Sequence, residues 1–152
     1  MIARLSRLRA EIASDLTAFE NQISELAALD FDTDATLAGE LARAAIALHS
    51  AYGAVEGALS RIAREIDDGE PTGANSHAQL LAQMALDIPR VRPAVLSAGV
   101  LPPLRRLLGF RHFLRHAYAV RLDRERLLAL RGHALALRPI LTADFTAFAS
   151  FL

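Results

Sequence analysis

The sequence contains no cysteine, no tryptophan and no lysine, so arginine supplies all 17 of its lysine-or-arginine charges. The absence of cysteine excludes disulfides and thiolate metal sites, and it suits a reducing compartment such as the cytoplasm. No apolar run approaches the roughly 20 residues that a membrane-spanning helix needs. The amino-terminal stretch 1–15 is amphipathic and lacks the apolar core of a signal peptide. We therefore expect a cytoplasmic protein without a membrane partner.

The charges balance overall but are divided along the chain. Residues 1–87 contain 6 arginines and 14 acidic residues, whereas residues 88–140 contain 11 arginines and 2 acidic residues. This division predicts an anionic partner for the basic half, or attraction between the two halves of one domain, or simply solvated arginine-rich faces. Charge alone leaves these interpretations open.

Apolar residues recur at intervals of three or four positions along most of the chain, which is the period of a helix face. The spacing predicts long helices over about 2–29 and 37–66, a third helix from Ser76, a fourth over about 102–120 and a fifth after Asp123. The expected fold is all-α, an up-down four-helix bundle with one additional short helix.

The length and the connections fit this arrangement. A chain of 152 residues suits one domain, which we expect to cover residues 1–152. Thr33 or Asp34 is placed to cap the second helix, Ser76 opens a capping box for the third, and Asp123 caps the fifth.

One segment of the fourth helix is unusual in a mainly apolar bundle, because two arginines, two histidines and a tyrosine crowd into it. His112 and His116 are four residues apart and share a helix face, as do Arg111 and Arg115. Arg111 and His116 lie about 140° apart around an ideal helix, so a single isolated helix does not form a compact site from them. A second copy of the helix facing the first would bring such residues together.

Three interpretations of this segment are open. The side chains pack their stems on the bundle and keep their tips in water. Alternatively, His112 and His116 bind a metal, although two imidazoles are too few ligands and the nearby arginines repel a cation. In the third interpretation, histidine transfers protons and arginine stabilises a phosphorane, which is the chemistry of metal-free RNA cleavage. Among the remaining histidines, His49 lies beside the core position Leu48 and is interpreted as a boundary residue, and His77 and His133 show no obvious catalytic neighbour in the sequence.

The segment resembles the HEPN superfamily and, within it, the HepT-like toxins. Those proteins are small helical bundles marked by Arg-x4-His-x-Tyr, and Arg111, His116 and Tyr118 complete that motif here. The residues flanking the motif also look like one HepT-like branch. The resemblance covers about residues 76–152, and the first two helices match by architecture.

The resemblance implies the toxin of a type II- or type VII-like toxin–antitoxin system, a metal-independent endoribonuclease without a cofactor. It implies a homodimer whose motif helices face each other, RNA as the substrate and a nucleotidyltransferase antitoxin as the partner. Arg111 and His116 would be catalytic, with His112 and Arg115 in support. Tyr118 would be the acceptor of AMP groups from the antitoxin.

Two alternatives belong to other functional classes. One is a catalytically inactive helical module that binds RNA or a nucleotide, and the other is a structural partner subunit in which the motif is incidental. The presence of both Arg111 and His116 favours the enzyme. Loss of cleavage without loss of RNA binding on removal of His116 would distinguish the enzyme from the binding module.

Overall fold

The structure is a computed structural model that describes residues 1–116 and 121–152, and the side chain of His116 is not described. The prediction of an all-α fold is confirmed, since the described residues form helices and no strand. The five α-helices, in chain order, are α1 (Ile2–Ala27), α2 (Leu37–Ile66), α3 (Ser76–Met84), α4 (Leu101–His116) and α5 (Arg124–Phe151). None of the described helices is long and apolar enough to cross a membrane.

The helices α1 and α2 form an antiparallel pair joined by a short connection. Contacts between their opposite ends establish the direction: Arg4 pairs with Glu65, and Arg61 Nε donates to Asp15 Oδ2 at 3.0 Å. The helix α5 is antiparallel to α1 by the same criterion, because Arg131 Nη1 donates to the carbonyl oxygen of Leu29 at 2.7 Å.

The helix α2 lies at the centre of the bundle, where it contacts all four other helices. Its buried positions include six alanines, and small side chains allow neighbouring helices to approach closely. The buried side chains of all five helices form one hydrophobic cluster. Its largest fully buried members are Tyr52, Phe19, Phe110, Phe145 and Phe148.

The predicted caps are partly correct. Asp123 caps α5, because its carboxylate accepts hydrogen bonds from two backbone N–H groups in the first turn of that helix. The capping box predicted at Ser76 is wrong: Ser76 is already helical, and Asn75 precedes it without a side-chain capping bond.

The cap predicted for α2 is also wrong. A short 3-10 turn, Asp34–Thr36, lies before the helix, and neither Thr33 nor Thr36 makes a side-chain capping bond. Asp30 organises this connection instead, since its carboxylate accepts from the backbone N–H of Asp32 at 2.8 Å and from the Thr33 hydroxyl. The polar residues therefore stabilise the turn before the helix rather than the first turn of the helix.

A buried ion pair fixes the connection between α3 and α4 to the end of α2. Arg92 is 2% exposed, and its Nε and Nη2 each donate to the carboxylate of Asp67 at 2.6 Å. Arg92 also donates to the carbonyl oxygens of Leu86 and Gln83. Burial works to raise the pKa of Asp67, but the hydrogen bonds from Arg92 and Gln83 outweigh it and hold that pKa below its ordinary value.

Candidate functional site

The helix α4 carries the predicted site residues, and it contacts α2, α3 and α5. Its apolar residues recur at helical intervals and face the core, which leaves the polar residues on the opposite side. The buried side chains are Leu104, Leu107, Leu108 and Phe110. The exposed residues with described side chains include Arg105, Arg106, Gly109, His112, Phe113 and Arg115.

Arg111 lies at the border between these two sides and is paired with a carboxylate from α2. Its Nη1 donates to Glu56 Oε1 at 2.7 Å, and the side chains of Arg111 and Glu56 are only 19% and 15% exposed. This low exposure protects the pair from screening, so it is a stronger constraint than a surface ion pair. Glu56 therefore fixes the position of the guanidinium on α4.

The same carboxylate also holds a histidine from α3. His77 Nδ1 lies 2.8 Å from Glu56 Oε2. An ionised carboxylate only accepts hydrogen bonds, so Nδ1 carries the proton in this pair and Nε2 is left as the second ring nitrogen. Glu56 thus orients an imidazole from one helix and a guanidinium from another.

The charge state of Glu56 follows from these two partners. Burial works to raise its pKa, but hydrogen bonds from Arg111 and His77 and the charge of the guanidinium outweigh burial and hold the pKa below its ordinary value. Glu56 is therefore ionised at neutral pH, and it neutralises Arg111 in part while keeping His77 in a defined orientation.

His112 joins the cluster through a ring contact. The imidazoles of His77 and His112 lie edge to face, with their centroids 5.8 Å apart and an angle of 77° between the ring planes. Glu56, His77, Arg111 and His112 thus form one polar cluster where α2, α3 and α4 meet, which we call the Glu56 cluster. It contains an acid, two imidazoles and a guanidinium, the groups required for proton transfer and phosphate binding.

The inner wall of the Glu56 cluster is Tyr52. Its ring is buried, and Arg111 Cζ lies 5.7 Å from the ring centroid. Burial and the negative charge of Glu56 raise the pKa of the Tyr52 phenol, so it stays protonated. Among the described residues, Tyr52 Oη and Arg111 Nε are buried polar atoms without a hydrogen-bond partner.

A cleft of about 260 Å³ opens beside the Glu56 cluster. Glu56 and His77 contribute to its wall, and the hydroxyl residues Ser60 and Ser76 lie next to them. The described residues contain no group of three or more histidine, aspartate or glutamate side chains arranged to hold a metal ion.

The structure places only part of the predicted site. Arg111 and His112 belong to the Glu56 cluster, and Arg115 is exposed on α4. His116 is the last residue of α4, but its side chain lies outside the described part of the chain, as does the whole of Tyr118. The geometry of the predicted catalytic pair is therefore still a prediction.

Two residues of the cluster were missed from the sequence. His77 shows no obvious catalytic neighbour in the sequence, and in the structure it contacts Glu56 and His112. The reason is distance along the chain, since Glu56 is 21 residues before its histidine partner. The one available signal was that Glu56 follows Tyr52 by four residues, on the inward side of α2.

The structure also shows which arginines of the basic half form ion pairs with the acidic half. Some arginines of the basic half pair with acids of the acidic half, as in Arg92–Asp67, Arg111–Glu56 and Arg124–Asp32. Others have no carboxylate within 4.0 Å of their guanidinium among the described residues. On α4 and the start of α5 these are Arg105, Arg106, Arg115 and Arg126.

Comparison with known proteins agrees with the resemblance seen in the sequence. The model of a family described as HepT-like protein matches residues 43–152, most of the chain. The chain belongs to the HepT-like protein family. This HepT-like chain is thus a member of the HEPN superfamily, and the match includes Glu56 on α2 as well as the motif on α4. No curated protein and no solved structure gives a significant match.

Proposed function

We propose that this HepT-like protein is a metal-independent endoribonuclease and the toxin of a type II- or type VII-like toxin–antitoxin system. The observation that carries the proposal is the 2.7 Å pair between Arg111 and Glu56, within a cluster that also contains two imidazoles. The arginine of that pair opens the Arg-x4-His-x-Tyr motif. A guanidinium held in place beside imidazoles suits phosphate chemistry, because it needs no rearrangement when charge develops on the phosphate.

The reaction is an internal transfer within RNA. His116 accepts the proton of a ribose 2′-hydroxyl, and the oxygen of that hydroxyl forms a bond to the adjacent phosphorus. The bond between phosphorus and the 5′-oxygen breaks, and that oxygen takes a proton from an imidazolium. The products are a 2′,3′-cyclic phosphate and a 5′-hydroxyl. Arg111 stabilises the charge on the phosphorane with the donors that Glu56 does not use, supported by His112 and Arg115.

The active form is a homodimer. Arg111 and His116 diverge around one helix, and the reaction uses one group to accept a proton and another to donate one. Two copies of α4 facing each other across a two-fold axis supply both groups to one cleft. A mass of one chain in light scattering across micromolar concentrations would contradict this assembly.

The partner is a nucleotidyltransferase antitoxin that transfers AMP from ATP to the hydroxyl of Tyr118 and releases pyrophosphate. The support for this step is the position of the tyrosine two residues after His116 in the motif. An added phosphodiester carries negative charge to the arginines of α4, so it competes with the RNA backbone as well as obstructing the cleft.

The proposal predicts that cleavage depends on both motif residues. His116→Ala is expected to reduce the rate about 10²–10⁴-fold, because it removes a proton-transfer group. Arg111→Ala is expected to reduce it about 10²–10³-fold, because it removes stabilisation of the phosphorane. The measurement is cleavage of single-stranded RNA in EDTA by refolded or co-purified toxin freed from its partner.

Matched controls are available in the first half of the chain. His49→Ala and Arg43→Ala remove the same residue types outside the motif, and both are expected to cleave at the parent rate. Cleavage by His116→Ala at the parent rate would reject the catalytic assignment. RNA binding without cleavage by the parent protein would instead identify a catalytically inactive helical binding module.

Neutralisation is predicted to require the hydroxyl of Tyr118. Tyr118→Phe is expected to keep its cleavage activity, because a phenol with a pKa near 10 serves neither proton-transfer step at neutral pH. It is also expected to escape silencing by the antitoxin. The test is co-expression with the antitoxin followed by intact-mass measurement. If the silenced parent carries no AMP and Tyr118→Phe is silenced equally, then the antitoxin acts by masking the cleft.

A further inference from the structure

We infer that a groove between α4 and α5, outside the Glu56 cluster, binds a segment of single-stranded RNA. It holds the backbone phosphate at Arg106 and Arg126 and stacks a base at Phe113. The inference rests on the proposed function, since it assigns the path of the substrate across the motif helix.

The groove has a volume of about 310 Å³. Its walls include Arg106 and Gly109 from α4 and Arg126, Ala129 and His133 from α5. A methyl group added at Gly109 would meet no atom within 4 Å, so the α4 side of the groove is open at this position. The small residues Gly109 and Ala129 thus line the same groove as the long cationic side chains of Arg106 and Arg126.

The first cation of the groove is Arg106. Its Nη1 lies 2.9 Å from His133 Nε2. Arginine is always a donor, so His133 accepts through Nε2 and is the neutral ring with its proton on Nδ1. A neutral partner orients the guanidinium without cancelling its charge. This arrangement differs from the surface ion pairs of α1 and α2, in which a carboxylate compensates the arginine.

The second cation lies over an aromatic ring. Arg126 Cζ is 4.3 Å from the centroid of Phe113 and 5.6 Å from that of Phe110. Such cation–π contacts hold a guanidinium in place and still leave it free to bind a phosphate. No carboxylate lies within 4.0 Å of the guanidinium of Arg106 or Arg126 among the described residues, so neither guanidinium is compensated by an ion pair.

The aromatic residue distinguishes the ligand as nucleic acid. Phe113 is one of the exposed large apolar side chains, with 37% of its surface accessible, and it packs at 6.3 Å against the buried ring of Phe110. Proteins bind single strands by combining cationic grooves with aromatic rings on which unpaired bases stack. A duplex offers no free base face to such a ring.

The position of the groove relative to the motif defines the path of the strand. Phe113 follows Arg111 by two residues, which places the two side chains about 200° apart around α4. Arg111 faces α2 and Phe113 faces α5, so the exposed surface of α4 separates them. Arg105 and Arg115 are exposed on this helix, so a strand that reaches from the motif to the groove crosses a basic surface.

A second copy of the chain is the less suitable occupant of the groove. In the proposed dimer the second copy meets the motif side of α4, whereas Phe113 lies about 200° around that helix from Arg111. An acidic protein segment satisfies the charges but makes no use of the exposed ring. RNA suits both features, because its phosphates pair with the arginines and its bases stack on the ring.

The test measures binding separately from cleavage. The probe is a labelled 2′-O-methyl RNA of about 12 nucleotides, within the range that single-strand binding sites cover. This probe has no free 2′-hydroxyl and therefore cannot be cleaved by the proposed reaction. Fluorescence anisotropy gives Kd for the parent, Arg106→Gln, Arg126→Ala and Phe113→Leu. Arg43→Ala is the matched control, because it removes one charge from a site where Glu25 and Glu40 compensate it at 3.5 Å.

The arginine variants are each expected to weaken binding about 10-fold. They are also expected to reduce the log–log dependence of Kd on salt by about 0.7, the value for one phosphate of a single strand. Phe113→Leu retains the apolar volume and loses the ring, so binding should weaken roughly 5- to 150-fold with an unchanged salt dependence. The control is expected to bind within about 2-fold of the parent.

The outcomes separate this inference from the proposed function. If the groove variants bind the probe with the same Kd as the parent, the inference that the groove binds RNA is overturned, even if the parent cleaves RNA. Weakened binding by the groove variants would support RNA binding in the groove even if the parent does not cleave RNA, and only the proposed function would then fail. Unchanged RNA binding together with an altered mass in light scattering would assign the groove to contact between copies and overturn the inference.

Discussion

At the scale of single residues, Glu56 determines the geometry of the candidate site. Its two oxygens accept from Arg111 and His77 at 2.7 and 2.8 Å, so one side chain from α2 positions groups on α4 and α3. Removing the carboxylate leaves a half-buried guanidinium without its partner, which costs more than the loss of an exposed ion pair. Glu56 is therefore a positioning residue for the proposed reaction.

The charge of Glu56 is predicted to stabilise the fold in a pH-dependent manner. Glu56→Gln keeps the size of the side chain and should lower the free energy of unfolding by about 1–3 kcal/mol at neutral pH. The pKa of Glu56 is lowered in the folded state, so its contribution is complete above the ordinary glutamate value of 4.5 and is lost as the pH falls through the folded pKa. The difference between the two proteins should therefore shrink at acidic pH.

Urea unfolding of both proteins at neutral pH and at about pH 3 measures this effect. Glu25→Gln is the control, because Glu25 is 64% exposed and its pair with Arg43 is screened by water. A destabilisation by Glu56→Gln of equal size at both pH values would show that packing, rather than charge, is what Glu56 provides.

The residues of the site that lie on one helix could be predicted from the sequence, and those on other helices could not. Arg111 and His112 were recognised because their motif is a local pattern. Glu56 and His77 were not, because they are 55 and 34 residues from Arg111 along the chain. Only the packing of α2 and α3 against α4 brings them together, and no local pattern encodes that packing.

At the scale of elements, the position of α4 depends on the connection that precedes it. This connection is held by the pair between Arg92 and Asp67, whose side chains are 0% and 5% exposed. Each charge is costly to bury alone, so the pair tolerates the loss of neither partner. It ties the end of α2 to the segment that leads into the motif helix.

Arg92→Ala is therefore predicted to destabilise the protein by about 3–5 kcal/mol, because it leaves the carboxylate of Asp67 buried without a partner. Arg43→Ala, on the exposed face of α2, should cost at most about 1 kcal/mol. Thermal and urea unfolding of the two variants give the comparison. If Arg92→Ala lowers the free energy of unfolding by less than about 1 kcal/mol, then water or another group replaces Arg92 as the partner of Asp67.

The helices themselves were predictable from the spacing of apolar residues, whereas their first turns were less so. The periodic core residues of α1, α2 and α5 place these helices within a few residues of their bounds. The caps depend on the exact backbone path, which the 3-10 turn before α2 and the helical conformation of Ser76 alter. Asp123 was predicted correctly because a single acidic residue directly precedes its helix.

At the scale of the whole molecule, the division of charge serves two purposes. Arginines that meet the acidic half, such as Arg92 and Arg111, connect the helices and orient the site. Those on the open side of α4 and α5, such as Arg106 and Arg126, have no carboxylate paired with their guanidinium among the described residues, and we propose that they bind an anion. Of the three interpretations left open by the sequence, attraction between the two halves applies to the first set of arginines, and the inferred RNA groove assigns an anionic partner to the second.

We propose that this HepT-like protein cleaves RNA by internal transfer through Arg111 and His116. The most direct test is mass spectrometry of the RNA ends produced by the parent protein in EDTA. Internal transfer is expected to leave a 2′,3′-cyclic phosphate on one fragment and a 5′-hydroxyl on the other, with neither fragment formed by His116→Ala. Fragments that end in a 3′-hydroxyl and a 5′-phosphate, or cleavage that appears only when a divalent ion is restored, would contradict it.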